Sequence, residues 1–320
     1  MLSEKPASIL RFDSSLALGD FVCAIGVFDG LHQGHRYLIE KTVEHAVQLE
    51  IPAVAITFDR DPDELFKPPS TLRKLLSNED RIDLLARSGV DSVFVIPFKR
   101  ELSQLEPQSF LDAVVAACGD PRGIHIGSDF RFGHQAVGTT DDLMRWAAAH
   151  GCEVFPHDLH TDEGSSVTST RIRNALQAGD LALANKLLMR PHYLWATVVK
   201  GRSVGKRLGF PTANLLPDSY LISPADGVYA TAVIIEGKPY KAATSVGIPS
   251  TFENTSPAIE AHILDFDGDV YGHRLQIFFF ELLRPMITFA SVDELQKTVF
   301  HNIEQAREYP LPDSLSYLCH

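Results

Sequence analysis

Apolar positions in the first half of the chain fall into two alternating patterns. Phe21-Val22-Cys23-Ala24-Ile25 is one uninterrupted apolar run, and Ala53 to Phe58, Ser92 to Pro97, Gly123 to Gly127 and Cys152 to Phe155 have a similar form. Continuous runs of this length mark strands covered on both faces, as in a parallel sheet. Between them, Ile39, Val43, Ala46 and Val47 recur at three- to four-residue spacing, which predicts a helix. Asp80 to Ala86, Pro107 to Cys118 and Asp141 to His150 read as further helices. Such alternation predicts a doubly wound parallel α/β sheet, with ligands beyond the carboxyl ends of its strands.

The pattern changes at Arg190-Pro191. Leu181 to Met189 reads as a helix, and a proline forces the residue before it into extended backbone. The domain boundary is therefore expected here, giving residues 1–189 and 190–320. Beyond it stand short β-rich runs: Ala196 to Val199, Val228 to Val233, Ile259 to Leu264 and Leu275 to Phe280. Short strands separated by turn signals predict a small antiparallel β-barrel or sandwich. Ser291 to Arg307 reads as a C-terminal amphipathic helix.

Composition narrows the function classes. At 320 residues, 45% hydrophobic and 22% charged, the chain has the makings of substantial cores. Its formal net charge of −12 argues against a general polyanion binder, so no nucleic-acid partner is expected and phosphate binding must be local. Cys23, Cys118, Cys152 and Cys319 show no metal-ligand spacing and read as reduced thiols of a cytoplasmic protein. No apolar run approaches membrane-spanning length and the first residues lack a signal-type apolar core, so no membrane partner is expected.

The candidate chemistry begins directly after the first strand, in Gly26-Val27-Phe28-Asp29-Gly30-Leu31-His32-Gln33-Gly34-His35. Gly26, Gly30 and Gly34 permit tight turns and close approach of a ligand to the backbone. A helix start favours bound phosphate. His32 and His35 sit three residues apart, so both can point into one site there. No cysteine or carboxylate is placed as a covalent nucleophile. Direct attack of one phosphate on another fits, with the donors stabilising the transition state and the pyrophosphate leaving group. A loop with two surface histidines is the competing reading.

Three further segments fall at strand ends. Thr57-Phe58-Asp59-Arg60-Asp61-Pro62 follows the second strand. In Gly127-Ser128-Asp129-Phe130-Arg131-Phe132-Gly133, the two phenylalanines could pack a flat ring and Asp129 accept its polar edge. In Val167-Thr168-Ser169-Thr170-Arg171-Ile172-Arg173, hydroxyls and arginines at a helix start form a phosphate cradle. In the second half, Gly201 to Asn214 is rich in glycine but is no Walker A loop: it is one residue short, and Arg207 stands where Ser or Thr is needed. Thr212 and Asn214 offer neutral oxygens suited to hydrated Mg²⁺ beside ATP phosphates. Glu260, among apolar strand neighbours, is placed as a base for a primary alcohol.

The histidine motif resembles the H-x-G-H nucleotidyltransferases, and its Phe-Asp-Gly form is most similar to the adenylyltransferase module of bacterial bifunctional riboflavin kinase/FAD synthetases. Residues 127–133 resemble that family's G-x-D-F-R-F-G, and residues 168–173 its S-S-T-x-I-R. Residues 201–214 resemble the kinase signature ending in G-F-P-T-A-N, and the stretch from Glu260 to Gly272 its V-E-x-H-x-L-D-F-x-x-D-L-Y-G. The resemblance spans about Phe21 to Ala306, with its motifs in family order. It implies ATP-dependent phosphorylation of riboflavin to FMN in the second domain. The first would adenylylate FMN to FAD with release of pyrophosphate, and both steps would use Mg²⁺.

The catalytic residues implied are His32, His35 and Glu260. Gly26, Phe28, Asp29, Gly30, Gly34, Asp129, Phe130, Arg131, Phe132, Ser169, Thr170, Arg171, Gly205, Gly209 and Pro211 would bind substrates, and Thr212 and Asn214 the metal. The chain departs from the family at Arg60 and Asp61, where Pro-His is usual. It departs also at Ser245 and Ser250, where the N-I-G-x-x-P-T-F pattern is broken, and at Met286 and Thr288, which replace an acid and a lysine. Two alternatives stay open: an adenylyltransferase whose kinase domain has decayed, and a non-catalytic sensor of flavin nucleotides.

Overall fold

The structure, a computed structural model, describes residues 6–11, 18–68, 71–115, 118–201, 204–247, 258–312 and 315. It divides into two units, Met1–Ser169 and Thr170–His320.

The first unit runs β1 (Ser8–Arg11), β2 (Asp20–Ile25), α1 (Gln33–Leu49), β3 (Ala53–Phe58), α2 (Asp63–Phe66), α3 (Asn78–Ala86), β4 (Ser92–Ile96), α4 (Arg100–Ser103), α5 (Pro107–Val114), β5 (Asp120–Gly127), α6 (Thr140–Ala149), β6 (Glu153–His157) and a two-residue hairpin, β7 (Thr161–Asp162) and β8 (Ser165–Ser166). Strands β1 to β6 form one sheet in the order β1-β4-β3-β2-β5-β6, every pair parallel. Phe21, Cys23 and Ile25 of β2 join Val54, Ile56, Ile124 and Ile126 in a core closed by Phe110 and Leu111 of α5 and Leu143 and Trp146 of α6. On the opposite face, Val22 of β2 and Ala53 of β3 pack with Ala46 of α1. Alternate side chains of one strand thus feed two cores, which is why the run reads as continuously apolar. The doubly wound sheet expected from the sequence is present. Strand β1, which the apolar pattern did not single out, is an edge strand paired to β4 alone.

The second unit contains α7 (Ser169–Gln177, begun by the last residue of the first unit), α8 (Leu181–Leu188), β9 (His192–Val199), α9 (Val204–Arg207), β10 (Ala213–Pro217), β11 (Gly227–Ile235), β12 (Lys238–Gly247), β13 (Ala258–Ile263), β14 (Arg274–Pro285) and α10 (Val292–Glu308). Its strands close into a barrel, β10-β13-β12-β11-β14-β9, because β9 pairs antiparallel with both β10 and β14. That closure selects barrel over sandwich. Strand β12 has no clear apolar alternation in sequence and is set by its registers with β11 and β13. Helix α10 covers Ala230 and Ala243 with Ile303 and Ala306.

The division between the units falls after Ser169, ahead of the expected boundary at Arg190-Pro191. Helix α8 is tied to the barrel through Asn185, whose Nδ2 donates to the Phe279 carbonyl at 3.0 Å and whose Oδ1 accepts from the His192 N–H at 2.7 Å.

Candidate active sites

In the first sheet, the chain leaves β2 for α1 and β3 on one side, while β5 lies on the other. A strand order that reverses in this way leaves a crevice at the carboxyl ends of β2 and β5. Two of the motifs singled out from sequence follow those strands: residues 26–35 after β2 and 127–133 after β5.

His32 stands at the N-cap of α1, and its side chain does not cap the helix. The rings of His32 and His35 stack, centroids 3.7 Å apart and planes 17° apart. Phe28 meets the His35 ring edge-on at 5.4 Å. Gly34 makes the stack possible: a Cβ there would lie 3.3 Å from the His32 ring and 3.5 Å from the Val167 carbonyl. Burial, then His32 and Arg81, hold the His35 pKa well below the usual imidazole range, so the pair is not doubly charged at neutral pH. His35 Nδ1 is buried with no hydrogen-bond partner among the described residues. The turn before the helix is strained. Phe28 and Leu31, neither a glycine, have φ of 58° and 42°. Strain of this kind persists where surrounding structure enforces it, commonly at ligand sites.

Asp29 makes contacts within the fold. The Asp29 carboxylate accepts from the backbone N–H of Leu75 at 3.1 Å and of Leu76 at 3.3 Å, and the Asp29 carbonyl accepts from Ser169 Oγ at 2.9 Å. Asp29 therefore ties the residue 71–76 turn and the Val167–Ser169 approach to the histidine loop. Thr170 and Arg171 follow Ser169 on α7. Asp61 accepts from the Asp63 N–H at 2.9 Å and starts α2, and its pKa is raised, chiefly by burial. This is a local side-chain-to-backbone turn ahead of α2, the ordinary loop role.

Behind Phe130 and Phe132 lies a cavity of about 610 Å³. Phe58, Phe98, Phe110, Phe130 and Phe132 line it, with Arg100 at one wall. Phe130 and Phe132 stack at 5.5 Å and 24°. Gly138 lets the Phe132 ring fold over the backbone, since a Cβ there would come within 2.9 Å of it. Arg131 is exposed, its Nη1 donating to the Phe130 carbonyl at 2.8 Å, and Asp129 is exposed as well. The volume and flat aromatic walls suit a fused-ring ligand.

Sequence reasoning missed Phe58, Phe98 and Phe110 as walls, and missed Arg81. This arginine is 1% exposed. Its Nη1 donates to the Val27 carbonyl at 2.9 Å and to Thr57 Oγ1 at 2.5 Å, and its Nη2 to the Phe58 carbonyl at 2.6 Å. Burial lowers its pKa, against the pull of Asp29, Asp61 and Glu64. One guanidinium thereby holds the ends of β2 and β3. The signal was present: Arg81 shares the helical stripe of buried Leu84 and Leu85.

In the barrel, Asn214 of β10 and Ser245 of β12 are the two register partners of Glu260 on β13. Directly opposed residues of an antiparallel pair project to the same face, so the three form one row. The Asn214 carboxamide lies against the Gly201 backbone, where a Cβ would overlap it. Gly205 is buried; a Cβ there would overlap the Phe210 carbonyl and lie 3.4 Å from Thr212 Oγ1. Gly209 has φ +88°, and the N–H groups of Leu208 and Phe210 both donate to the Gly205 carbonyl at 3.0 Å. The Pro211 carbonyl is 2.7 Å from His262 Nδ1. The glycines therefore shape a tight loop beside two neutral oxygen donors and one carboxylate, a set that suits Mg²⁺ with ATP phosphates. Met286 and Thr288 follow β14, and Ser250 lies outside the described residues.

The architecture is that of a two-part enzyme, an α/β nucleotidyltransferase-like half followed by a closed antiparallel barrel. The FAD synthetase family model matches residues 15–171 and the riboflavin kinase model residues 188–310. A bifunctional riboflavin kinase/FMN adenylyltransferase of Pseudomonas fluorescens is 32% identical over 92% of this chain and 94% of its own length. One of Listeria monocytogenes is 33% identical over 86% of this chain and 87% of its own. The crystal structure of a macrolide-efflux protein from Streptococcus pneumoniae superposes with a TM-score of 0.83 at 31% identity, covering 94% of this chain and 99% of that one. The chain belongs to the bifunctional riboflavin kinase/FMN adenylyltransferase family. No helix among the described residues is long and apolar enough to cross a membrane.

Proposed function

We propose that this chain phosphorylates riboflavin to FMN with ATP in the barrel and adenylylates FMN to FAD, with release of pyrophosphate, at the crevice of the parallel sheet. The observation that carries the reading is the stacked His32–His35 pair at the start of α1, on a loop whose Val27 lines an aromatic cavity of about 610 Å³. The FMN phosphate is itself the nucleophile and attacks the α-phosphorus of ATP. The bond to the departing pyrophosphate breaks in line. His32 and His35 would donate hydrogen bonds to the charge that builds there. Phe130 and Phe132 would hold the flavin ring, and Ser169, with Thr170 and Arg171 after it, would contact phosphates.

In the barrel, Glu260 would take the proton of the ribityl hydroxyl as that oxygen attacks the γ-phosphorus of ATP and the bond to the departing ADP breaks. Thr212 and Asn214 would hold Mg²⁺, which neutralises phosphate charge when bound. The kinase domain would comprise the barrel. Residues 172–187, between the two family matches, carry most of α7 and α8, and the expected boundary at Arg190-Pro191 falls just beyond them. A cytoplasmic location fits three buried free thiols. Incubating the protein with riboflavin and Mg-ATP, and separating the flavins by chromatography, tests the whole reading. FMN and then FAD are expected. Conversion of supplied FMN to FAD with no FMN from riboflavin would restrict the activity to adenylylation.

A further inference from the structure

Three histidines outside the proposed sites form one hydrogen-bonded chain. His45 Nδ1 lies 3.0 Å from His125 Nε2, and His125 Nδ1 lies 2.8 Å from His157 Nε2. His125 is 4% exposed. Its ring is nearly parallel to those of His157, at 5.1 Å, and Phe155, at 4.8 Å. Gly123 makes room for the chain, since a Cβ there would sit 2.5 Å from the His45 ring.

Each histidine stands on an element that carries or feeds a proposed adenylylation motif. His45 is on α1, which begins at the His32–His35 pair. His125 is on β5, just before Gly127. His157 ends β6, and its carbonyl accepts from the Ser128 N–H at 2.8 Å. Tyr37, one turn along α1, meets His157 edge-on at 5.7 Å and stacks with His160 at 5.9 Å. The His160 carbonyl accepts from the Val167 N–H at 2.7 Å, at the approach to Ser169.

We propose that His45, His125 and His157 are positioning residues for adenylyl transfer: a hydrogen-bonded imidazole chain that holds α1, β5 and β6 so that their motifs face one substrate, and that fails in acid. This rests on the assignment of those motifs to the adenylylation site. Proton counting gives the acid limit. Each nitrogen–nitrogen contact needs one proton, and a neutral imidazole supplies one. Three neutral rings make both contacts with a proton left for an outer nitrogen. A fourth proton occupies the other outer nitrogen. A fifth sets two N–H groups face to face and breaks a contact, whichever tautomers were present.

The surroundings set when this happens. Helix α1 presents Tyr37 and Lys41, the latter paired with Glu44 at 2.6 Å. Strand β6 presents Glu153, and the segment after it His160; on β2 the register partners of Gly123 and His125 are the apolar Val22 and Ala24. Burial, then His157 and His45, lower the His125 pKa to about 4, and burial with Lys41 lowers that of His157. The chain is therefore intact at neutral pH.

The test uses the full chain, whose riboflavin phosphorylation serves as internal control. His157→Leu removes a contact, whereas His157→Gln keeps a group that accepts from or donates to His125. H157L is expected to lose about ten- to hundredfold in kcat/KM for adenylylation, the scale of a small misplacement of reacting groups. H157Q is expected to stay within about threefold of the parent. His125→Leu should lose a similar factor at neutral pH and show a shallower acid limb than the parent. Equal rates for H157L and H157Q, or losses shared by both activities, overturn the proposal, and the H157 pair decides it even if H125L does not fold. His35→Ala separates the two claims. If it is inactive in adenylylation while H157L behaves as parent, the histidine chain alone fails. If it is active, the motif assignment fails as well.

Discussion

His35→Ala is the sharpest probe of the adenylylation site, because its effects on stability and on rate are expected to part company. The His35 ring contributes contacts with His32 at 3.7 Å and Phe28 at 5.4 Å between centroids. Such aromatic contacts contribute about 0.5–1.5 kcal/mol each. Against this, Nδ1 is buried without a partner, a condition that costs about 1–3 kcal/mol. The two terms are of similar size and opposite sign. The melting temperature of the variant should therefore stay within roughly 2–4 °C of the parent. The rate has no such compensation. Losing one donor aimed at developing phosphate charge costs about 10²–10³ in kcat. The assay follows FAD formed from FMN and Mg-ATP by chromatography, with FMN formed from riboflavin by the same sample as control. FAD formation within tenfold of the parent, in a chain with parental melting, refutes the role of His35 in the reaction. Equal loss of both activities with a large drop in melting temperature would make it a structural residue instead.

Phe132→Ala opens the aromatic cavity and should raise the KM for FMN about fivefold while leaving that for ATP unchanged, since a stacked aromatic contact is worth about 1 kcal/mol; equal changes in both constants count against the flavin pocket. Glu260→Gln keeps shape but not basicity, so FMN formation should fall by about 10²–10⁴ with FAD formation from supplied FMN intact; a parental kinase rate removes Glu260 as the base. His192 is buried and held neutral, its pKa lowered to about 3 chiefly by burial, whereas in the unfolded chain it titrates near 6.5. Because the folded value is depressed, the unfolded state binds the proton first. Its stabilisation is complete above about pH 6.5 and is lost progressively towards pH 3. His192→Gln should therefore flatten the fall in melting temperature between about pH 6.5 and 4.5, and an unchanged slope would contradict this.

Local pattern alone determined the alternating half of this protein. The runs at residues 21–25, 53–58 and 92–96 are apolar because both faces of their sheet are covered, and burial of that kind is written into consecutive residues. The His32–His35 pair was legible for the same reason: a strand, a glycine turn and a helix start are all short-range. In the barrel, β11, β13 and β14 carried a β pattern, whereas β12, with Lys238, Lys241 and Ser245 among its residues, did not. Closure into a barrel was decided by β9 finding both β10 and β14, pairings that no local pattern encodes.

Tertiary structure also decided which way polar groups face. Asp29 sits in the most recognisable motif of the chain, yet its carboxylate turns to the N–H groups of Leu75 and Leu76. Arg81 lies on a helix that reads as an ordinary amphipathic one, yet its guanidinium reaches Val27, 54 positions away, and holds two strand ends. His45 and His125 are 80 positions apart. A buried polar group must find a partner wherever the fold places one. That requirement couples residues across the chain, so periodicity finds the elements while only the assembled sheet reveals what their polar side chains hold together.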